Sequence, residues 1–263
     1  MSRHVLILGG HGKVSQLLTP LLLKRAWTVT SVIRTPDQIP AIEALAPPAS
    51  PGKLTVLVRS IDDITSKDKA AALLREVKPD YVAWSAGAGG KGGPERTFAV
   101  DRDAAIHFVH AAADIPSITR FLLVSYIGSR RESAPWWQTG EWDRYVADVN
   151  NGVLKNYYKA KIAADEELYK VSRASSTLVG IDLRPPTLTD EPAGGVKLGK
   201  TPTVNGRVSR ETVAKVADAY LAAEGVKNSW VDFYDGEEDI DEAVQKFISG
   251  GGDTAEGEPV YSS

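Results

Sequence analysis

At 263 residues, with 43% hydrophobic and 25% charged side chains, the chain has a globular composition and the length for a substantial core. A net charge of −3 offers no basic field for nucleic acid or anionic lipid, so any anion site has to be local. The lack of cysteine excludes disulfide scaffolds, thiolate metal centres and cysteine nucleophiles. No apolar run approaches the roughly 20 residues of a membrane span. Met-Ser-Arg-His leads straight into a strand with no room for a signal peptide, so a cytoplasmic protein without membrane contact is expected.

Short β-branched runs alternate with longer helical patterns. "HVLILGG" (4–10) reads as a buried strand and "GKVSQLLTPLLLKRA" (12–26) as a helix with leucines on one face. "WTVTSVIR" (27–34) is a second strand, and 36–45 is partly helical. A strand at 53–60 precedes a helix at 67–77, and a strand at 79–87 precedes a helix at 98–115. The fifth strand, 120–128, is followed by a long helix over 150–172 and a sixth strand over 176–185. This alternation predicts one α/β domain over residues 1–250, a Rossmann-type, doubly wound parallel sheet with helices on both faces. Residues 128–150 and 185–207 break the rhythm as loops just after strands, where open α/β sheets bind ligands. The glycine-rich stretch 251–263 reads as a disordered tail.

"GGHGKVS" places Gly9, Gly12 and Ser15 three apart at the first strand-to-helix junction. Gly9 permits a tight turn, and Gly12 lets the backbone approach a pyrophosphate at the helix N-terminus. A P-loop is excluded, because Val14 stands where the magnesium-binding hydroxyl would be. The second strand ends at Arg34, where an NAD enzyme usually carries an acid. A guanidinium there suits the 2′-phosphate of NADP(H), with Lys13 as a second cation, although a solvated strand-end charge is the plain alternative.

Further motifs follow in order: "AWSAGAGGKGGPE", "AVDRDAAIHFVHAA", "LLVSYIGSR" and "YYKAKIAADEEL". Together with the glycine turn and Arg34, they resemble the atypical short-chain dehydrogenase/reductases, an epimerase/dehydratase-like subgroup with NmrA-like relatives, over residues 4–190. The resemblance implies that Gly9, Gly12, Lys13 and Val14 contact phosphates, and that Ser60 and Ile61 border the adenine. It also implies that Ala86, Gly87 and Ala88 line the cofactor, that Asp101 replaces the asparagine of classical members, and that Pro185, Pro186 and Thr187 approach the nicotinamide.

Tyr157 and Lys161 lie one helical turn apart on a shared face. The ammonium is expected to lower the tyrosine pKa and make it a proton donor or acceptor, while Lys161 also binds the nicotinamide ribose. Ser125 closes the fifth strand, where its hydroxyl is expected to bond a substrate carbonyl, with Tyr126 as a substitute donor. The spacing between Ser125 and Tyr157 is wider than in classical members. A metal at Asp103, His107 and His110 is disfavoured against a solvated helix face. Trp136, Trp137 and Trp142 either stack on a flat substrate or pin their loop. No Gly-x-Ser-x-Gly elbow supports a hydrolase. The expected function is NADP(H)-dependent oxidoreduction of a small carbonyl or alcohol by a monomer or homodimer. The alternatives are a sugar-type epimerase or dehydratase, and a non-catalytic NADP sensor.

Overall fold

The computed structural model describes residues 2–90 and 92–262. Its centre is β1 (His4–Leu8), whose four apolar residues are buried on both faces of the sheet. Val5 and Ile7 join one core and Leu6 and Leu8 the other, as the two-residue period of a strand requires. From β1 the chain winds outward through α1 (Lys13–Lys24) to β2 (Thr28–Ile33), then through α2 (Ile39–Glu43) to β3 (Lys53–Val58). It returns by α3 (Lys67–Val77) to β4 (Tyr81–Trp84) on the other side of β1. A short α4 (Gly93–Thr97) and α5 (Ala105–Ala113) lead to β5 (Arg120–Val124). Next come α6 (Glu141–Tyr145), the long α7 (Lys155–Ala174) and β6 (Val179–Arg184).

The remaining chain adds β7 (Thr187–Thr189), β8 (Gly195–Leu198), β9 (Arg207–Ser209), α8 (Arg210–Ala222), β10 (Ser229–Gly236) and α9 (Ile240–Ser249). The main sheet has eight strands in the order β3-β2-β1-β4-β5-β6-β10-β8, parallel except for β8 against β10. Helices α1, α8 and α9 cover one face, and α3, α5 and α7 the other. The expected doubly wound sheet is present, and its order reverses between β1 and β4, which opens a crevice at their carboxyl ends. Among the described residues no helix is long and apolar enough to cross a membrane.

Four local expectations need correction. The two segments read as loops are not simply loops: residues 128–150 hold α6 and the start of a π-helical segment, and 185–207 hold β7 and β8 and run into β9, which pairs with β7. Strands this short, set among glycines and prolines, leave almost no periodic signal. The helix read over 150–172 starts only at Lys155, because Gly152 (φ −97°, ψ −114°) ends a π-helical segment, Val146–Val153, just before it. The first residues of the helix read over 98–115, Phe98–Ala104, are π-helical too.

The fourth correction concerns the tail. Residues 251–262 are docked: Ala255 and Val260 are buried against Tyr169 and Trp230, and Thr254 N donates to Trp230 O at 2.9 Å. The buried Arg130 supplies the reason. It donates to Thr254 O at 2.6 Å and Glu256 O at 2.9 Å, and its Nε lies 3.2 Å from Glu258 Oε1. Composition alone describes a flexible segment and is silent about a buried cation elsewhere that requires carbonyl partners.

Glu258 also accepts from the amides of Arg131 (2.9 Å) and Glu132 (3.1 Å). Glu258→Ala should therefore leave the buried guanidinium with Asp232, 4.0 Å away, as its remaining carboxylate and destabilise the fold by about 1–3 kcal/mol in equilibrium urea denaturation. A loss below about 1 kcal/mol, the level of an exposed pair, would show that the tail is not docked through Glu258.

Candidate active site

The turn after β1 leaves no space for side chains. Gly9 has φ +88°, and a Cβ there would lie 2.6 Å from Ala86 Cα, so both its conformation and its contact with the end of β4 demand glycine. Gly10, which the spacing argument passed over, is equally constrained, since its Cβ would meet Ser31 Oγ at 1.9 Å. Gly12 starts α1 with no side-chain cap, and the first turn carries no acidic residue. The helix thus presents uncapped N–H groups and its positive end to the space above, a cradle that fits a pyrophosphate.

Over this turn lies a cavity of about 1170 Å³. Gly9, Gly12, Lys13 and Val14 form its floor, and Ala86, Gly87, Ala88 and Asp101 line its middle. Asp101 is buried, and Ala88 N donates to its Oδ2 at 2.9 Å. Burial raises its pKa, opposed by Lys161, that amide and Arg96. At one end, Arg34 and Ile61 line the wall together with Arg59, Asp62 and Arg96, three residues that sequence reasoning missed because they gather from separate segments. Arg96 pairs with Asp62 at 2.8 Å, whereas the Arg34 guanidinium has no hydrogen-bond partner among the described residues. Ser60 is not part of the wall, and its hydroxyl donates to Asp62 at 3.0 Å. Lys13 pairs at 2.8 Å with Asp190, which also holds Arg210, a further lining residue, at 2.8 Å.

The other end carries Ser125 and Tyr157, which the fold brings onto one wall despite their separation in sequence. The kink at Gly152 puts Val153, 85% exposed, and Leu154 on the rim beside them. Pro185, Pro186 and Thr187 do not line the cavity; Pro185 is buried with its carbonyl accepting from Ile127 N at 3.0 Å, and Leu188 takes the place on the wall. Tyr126 is not free to substitute as a donor. Its hydroxyl donates to Asn150 Oδ1 at 2.9 Å, and its ring packs 5.3 Å from that of Tyr157. Trp137 and Trp142 pack with each other off the cavity, and Trp137 Nε1 donates to Thr201 O at 3.1 Å, which pins the loop. His110 bonds Glu167 and Asp103 pairs with Arg102, on an outer helix face.

Lys161 is close to Tyr157 in sequence but acts elsewhere. Its ammonium is buried and donates to Val124 O at 2.9 Å. The Tyr157 phenol is pushed above its ordinary pKa by burial, with the charges of Asp101 and Asp165 adding to it. The expected lowering is therefore reversed, because burial disfavours the phenolate. Ser125 differs from expectation as well: its hydroxyl donates inward to Asp165 Oδ2 at 2.5 Å, and Ser129 donates to the same oxygen at 2.5 Å.

Behind these serines is a buried charge network that spacing did not reveal. Arg184 bonds Asp232 at 2.9 Å through Nε, and its Nη1 lies 3.4 Å from both Asp165 and Asp182. Its guanidinium stacks 4.0 Å over the Trp230 ring. Burial raises the Asp165 pKa against the pull of Lys161 and Arg184. Asp182 is pushed well above the ordinary aspartate value by burial and by its neighbour Asp165.

A raised folded-state pKa favours folding at low pH, and this contribution is lost as pH rises from the unfolded aspartate value towards the folded one. Asp182→Asn removes the titration. The variant should gain stability over wild type above about pH 4, by up to about 1.4 kcal/mol per pH unit, in melting curves taken across pH. A difference independent of pH would mean that Asp182 is ionised in the folded protein.

Comparison with known proteins agrees with this geometry. A family model described as NAD(P)H-binding matches residues 9–224. A UPF0659 protein of Schizosaccharomyces pombe is 35% identical over 92% of this chain and 94% of its own. A Bacillus subtilis protein bearing the name "Uncharacterized sugar epimerase YhfK" is 29% identical over 92% and 99%. In structure, the oxidoreductase YlbE of Lactococcus lactis superposes with a TM-score of 0.70 at 22% identity, covering 94% of this chain and 97% of that one. The glycine cradle, the crevice at the strand reversal and the family match lead to one conclusion: this chain belongs to the NAD(P)H-binding family.

Proposed function

We propose that the protein is an NADP(H)-dependent oxidoreductase of the atypical short-chain dehydrogenase/reductase type, acting on a small carbonyl or alcohol. One observation carries the reading: a single cavity joins the glycine cradle and Arg34 at one end to Ser125 and Tyr157 at the other. When bound, the nicotinamide supplies or accepts hydride, and the chain binds, orients and handles the proton. Gly9, Gly12 and the N-terminus of α1 hold the pyrophosphate, with Lys13 beside them. Arg34, whose guanidinium has no hydrogen-bond partner among the described residues, supports a 2′-phosphate contact, on a wall where Arg59 pairs with Glu76 and Arg96 with Asp62. Tyr157 stays a neutral phenol and holds the substrate oxygen by donating a hydrogen bond.

A sugar-type epimerase is the second reading, favoured by the name of the Bacillus subtilis relative. Against it, the residues after β6 complete the sheet and its helices and do not build a lobe for a nucleotide sugar.

Cofactor titration is the first test. Arg34→Ala should weaken NADPH binding by about 1.5–3 kcal/mol and leave NADH nearly untouched. Retained selectivity would make Arg34 a bystander and remove the support for NADP(H). Turnover is the second, in a carbonyl and alcohol screen followed by NADPH absorbance. Tyr157→Phe should lower kcat by about 10²–10³, the usual worth of one donor to a reacting oxygen, with NADPH affinity preserved. Wild-type turnover in that variant would exclude the phenol from the reaction.

A further inference from the structure

The Tyr157 phenol, raised above its ordinary pKa, gives up its proton poorly, and while neutral it cannot take another. Tyr126 is committed to Asn150, and the Lys161 ammonium to Val124 O. Ser125, beside Tyr157 on the cavity wall, has its proton pointing away from the cavity, towards a buried carboxylate, Asp165. Its oxygen lone pairs are what a substrate meets.

We propose that Asp165 is the positioning residue of the reaction: it turns the Ser125 hydroxyl inward, so that Ser125 accepts from a substrate hydroxyl, and it exchanges the proton that passes through Ser125. The inference rests on the oxidoreductase reading above and deepens it. In the oxidative direction the carbinol C–H bond breaks, and its electron pair leaves as hydride for the oxidised nicotinamide. The C=O bond forms as the substrate O–H proton moves to Ser125 Oγ, while the proton Ser125 carried moves to Asp165 Oδ2. Reduction runs the same steps backwards, with Asp165 protonated at the start.

The surroundings of Asp165 suit this exchange. Ser125 and Ser129, from the segment after β5, both donate to Oδ2. Oδ1 is buried with no hydrogen-bond partner among the described residues. Lys161, on its own helix, favours the carboxylate. From β6, Arg184 does the same, while Asp182, raised by burial and by Asp165 itself, is the weaker acid of the two adjacent carboxyls. Arg184 is shared with Asp232 of β10. Asp101, from the π-helical segment, faces Lys161 and Tyr157 from the other side. Through the Ser125 hydroxyl, Asp165 is thus a carboxyl one hydrogen bond away from the cavity, placed to accept a proton. A merely structural carboxylate would satisfy Ser129 and Arg184 without engaging a serine on the cavity wall.

The test compares pH profiles of alcohol oxidation in wild type, Asp165→Asn, Asp165→Glu, Ser129→Ala and Tyr157→Phe. A second readout needs no turnover: infrared titration of the Asp165 carboxyl in the cofactor-free protein, as wild type minus Asp165→Asn. Wild-type kcat should rise with pH on a limb above the ordinary aspartate range. Asp165→Asn should lose that limb and about 10²–10⁴ in kcat while keeping NADPH affinity, and Asp165→Glu should recover part of both. Tyr157→Phe should keep the limb at reduced height. Ser129→Ala removes a hydrogen bond to the ionised form, so both the limb and the infrared midpoint should move to higher pH. The proposal is overturned if Asp165→Asn keeps the limb, if the limb disappears with Tyr157→Phe instead, or if Ser129→Ala leaves the infrared midpoint unmoved. A wild-type protein that binds NADPH but turns over no carbonyl or alcohol overturns the oxidoreductase reading itself, and the proposal with it.

Discussion

The buried guanidinium of Arg184 is the contact on which the catalytic half of the molecule depends. It sits at the end of β6, bonds Asp232 on β10, reaches Asp165 on α7 and donates to the carbonyls of Ile127 and Ser129 after β5. A cation without water needs such partners, because burying it unpaired would cost several kcal/mol. Satisfying it fixes two neighbouring strands, a helix and a loop relative to one another. That arrangement sets Asp165 behind Ser125 and makes the floor of the reacting end rigid.

The other half depends on a steric constraint. Gly9 and Gly10 permit the backbone after β1 to press against the end of β4 and the side chain of Ser31. A Cβ at Gly9 would collide with the backbone at the end of β4, 2.6 Å from Ala86 Cα. The same close approach aims α1 into the cavity, so the anion site and the sheet topology have one cause. The two ends of the cavity are therefore built by different physics, backbone proximity at one and buried charge at the other. The cavity joins them.

Much of the cofactor end was legible because its signals are local. The glycine turn, the strand before it and the helix after it lie within a few residues, and period-2 and period-3.6 patterns mark their neighbours. Arg34 followed from the end of β2. At the catalytic end, residue types were readable but their states were not. Tyr157 and Lys161 share a helical face in sequence, yet Lys161 turns to Val124 O and the phenol is buried near carboxyls of its own helix and of two other elements. Pro185 and Thr187 missed the wall because the chain after β6 enters β7, and Leu188 faces the cavity instead.

The sequence by itself determined the alternation of strands and helices, the doubly wound sheet and the position of the phosphate turn, since each follows from periodicity and glycine sterics within a short window. Only the tertiary structure decided which polar groups share a low-dielectric interior. Asp165, Asp182 and Arg184 are spread over two elements, and they carry no pattern that separates them from surface charges. Burial brings them together, and electrostatics then sets which carboxyl is the weaker acid and which way Ser125 points. Docking of the tail has the same cause: a glycine-rich segment is ordered because Arg130, far away in the chain, is buried and needs its carbonyls.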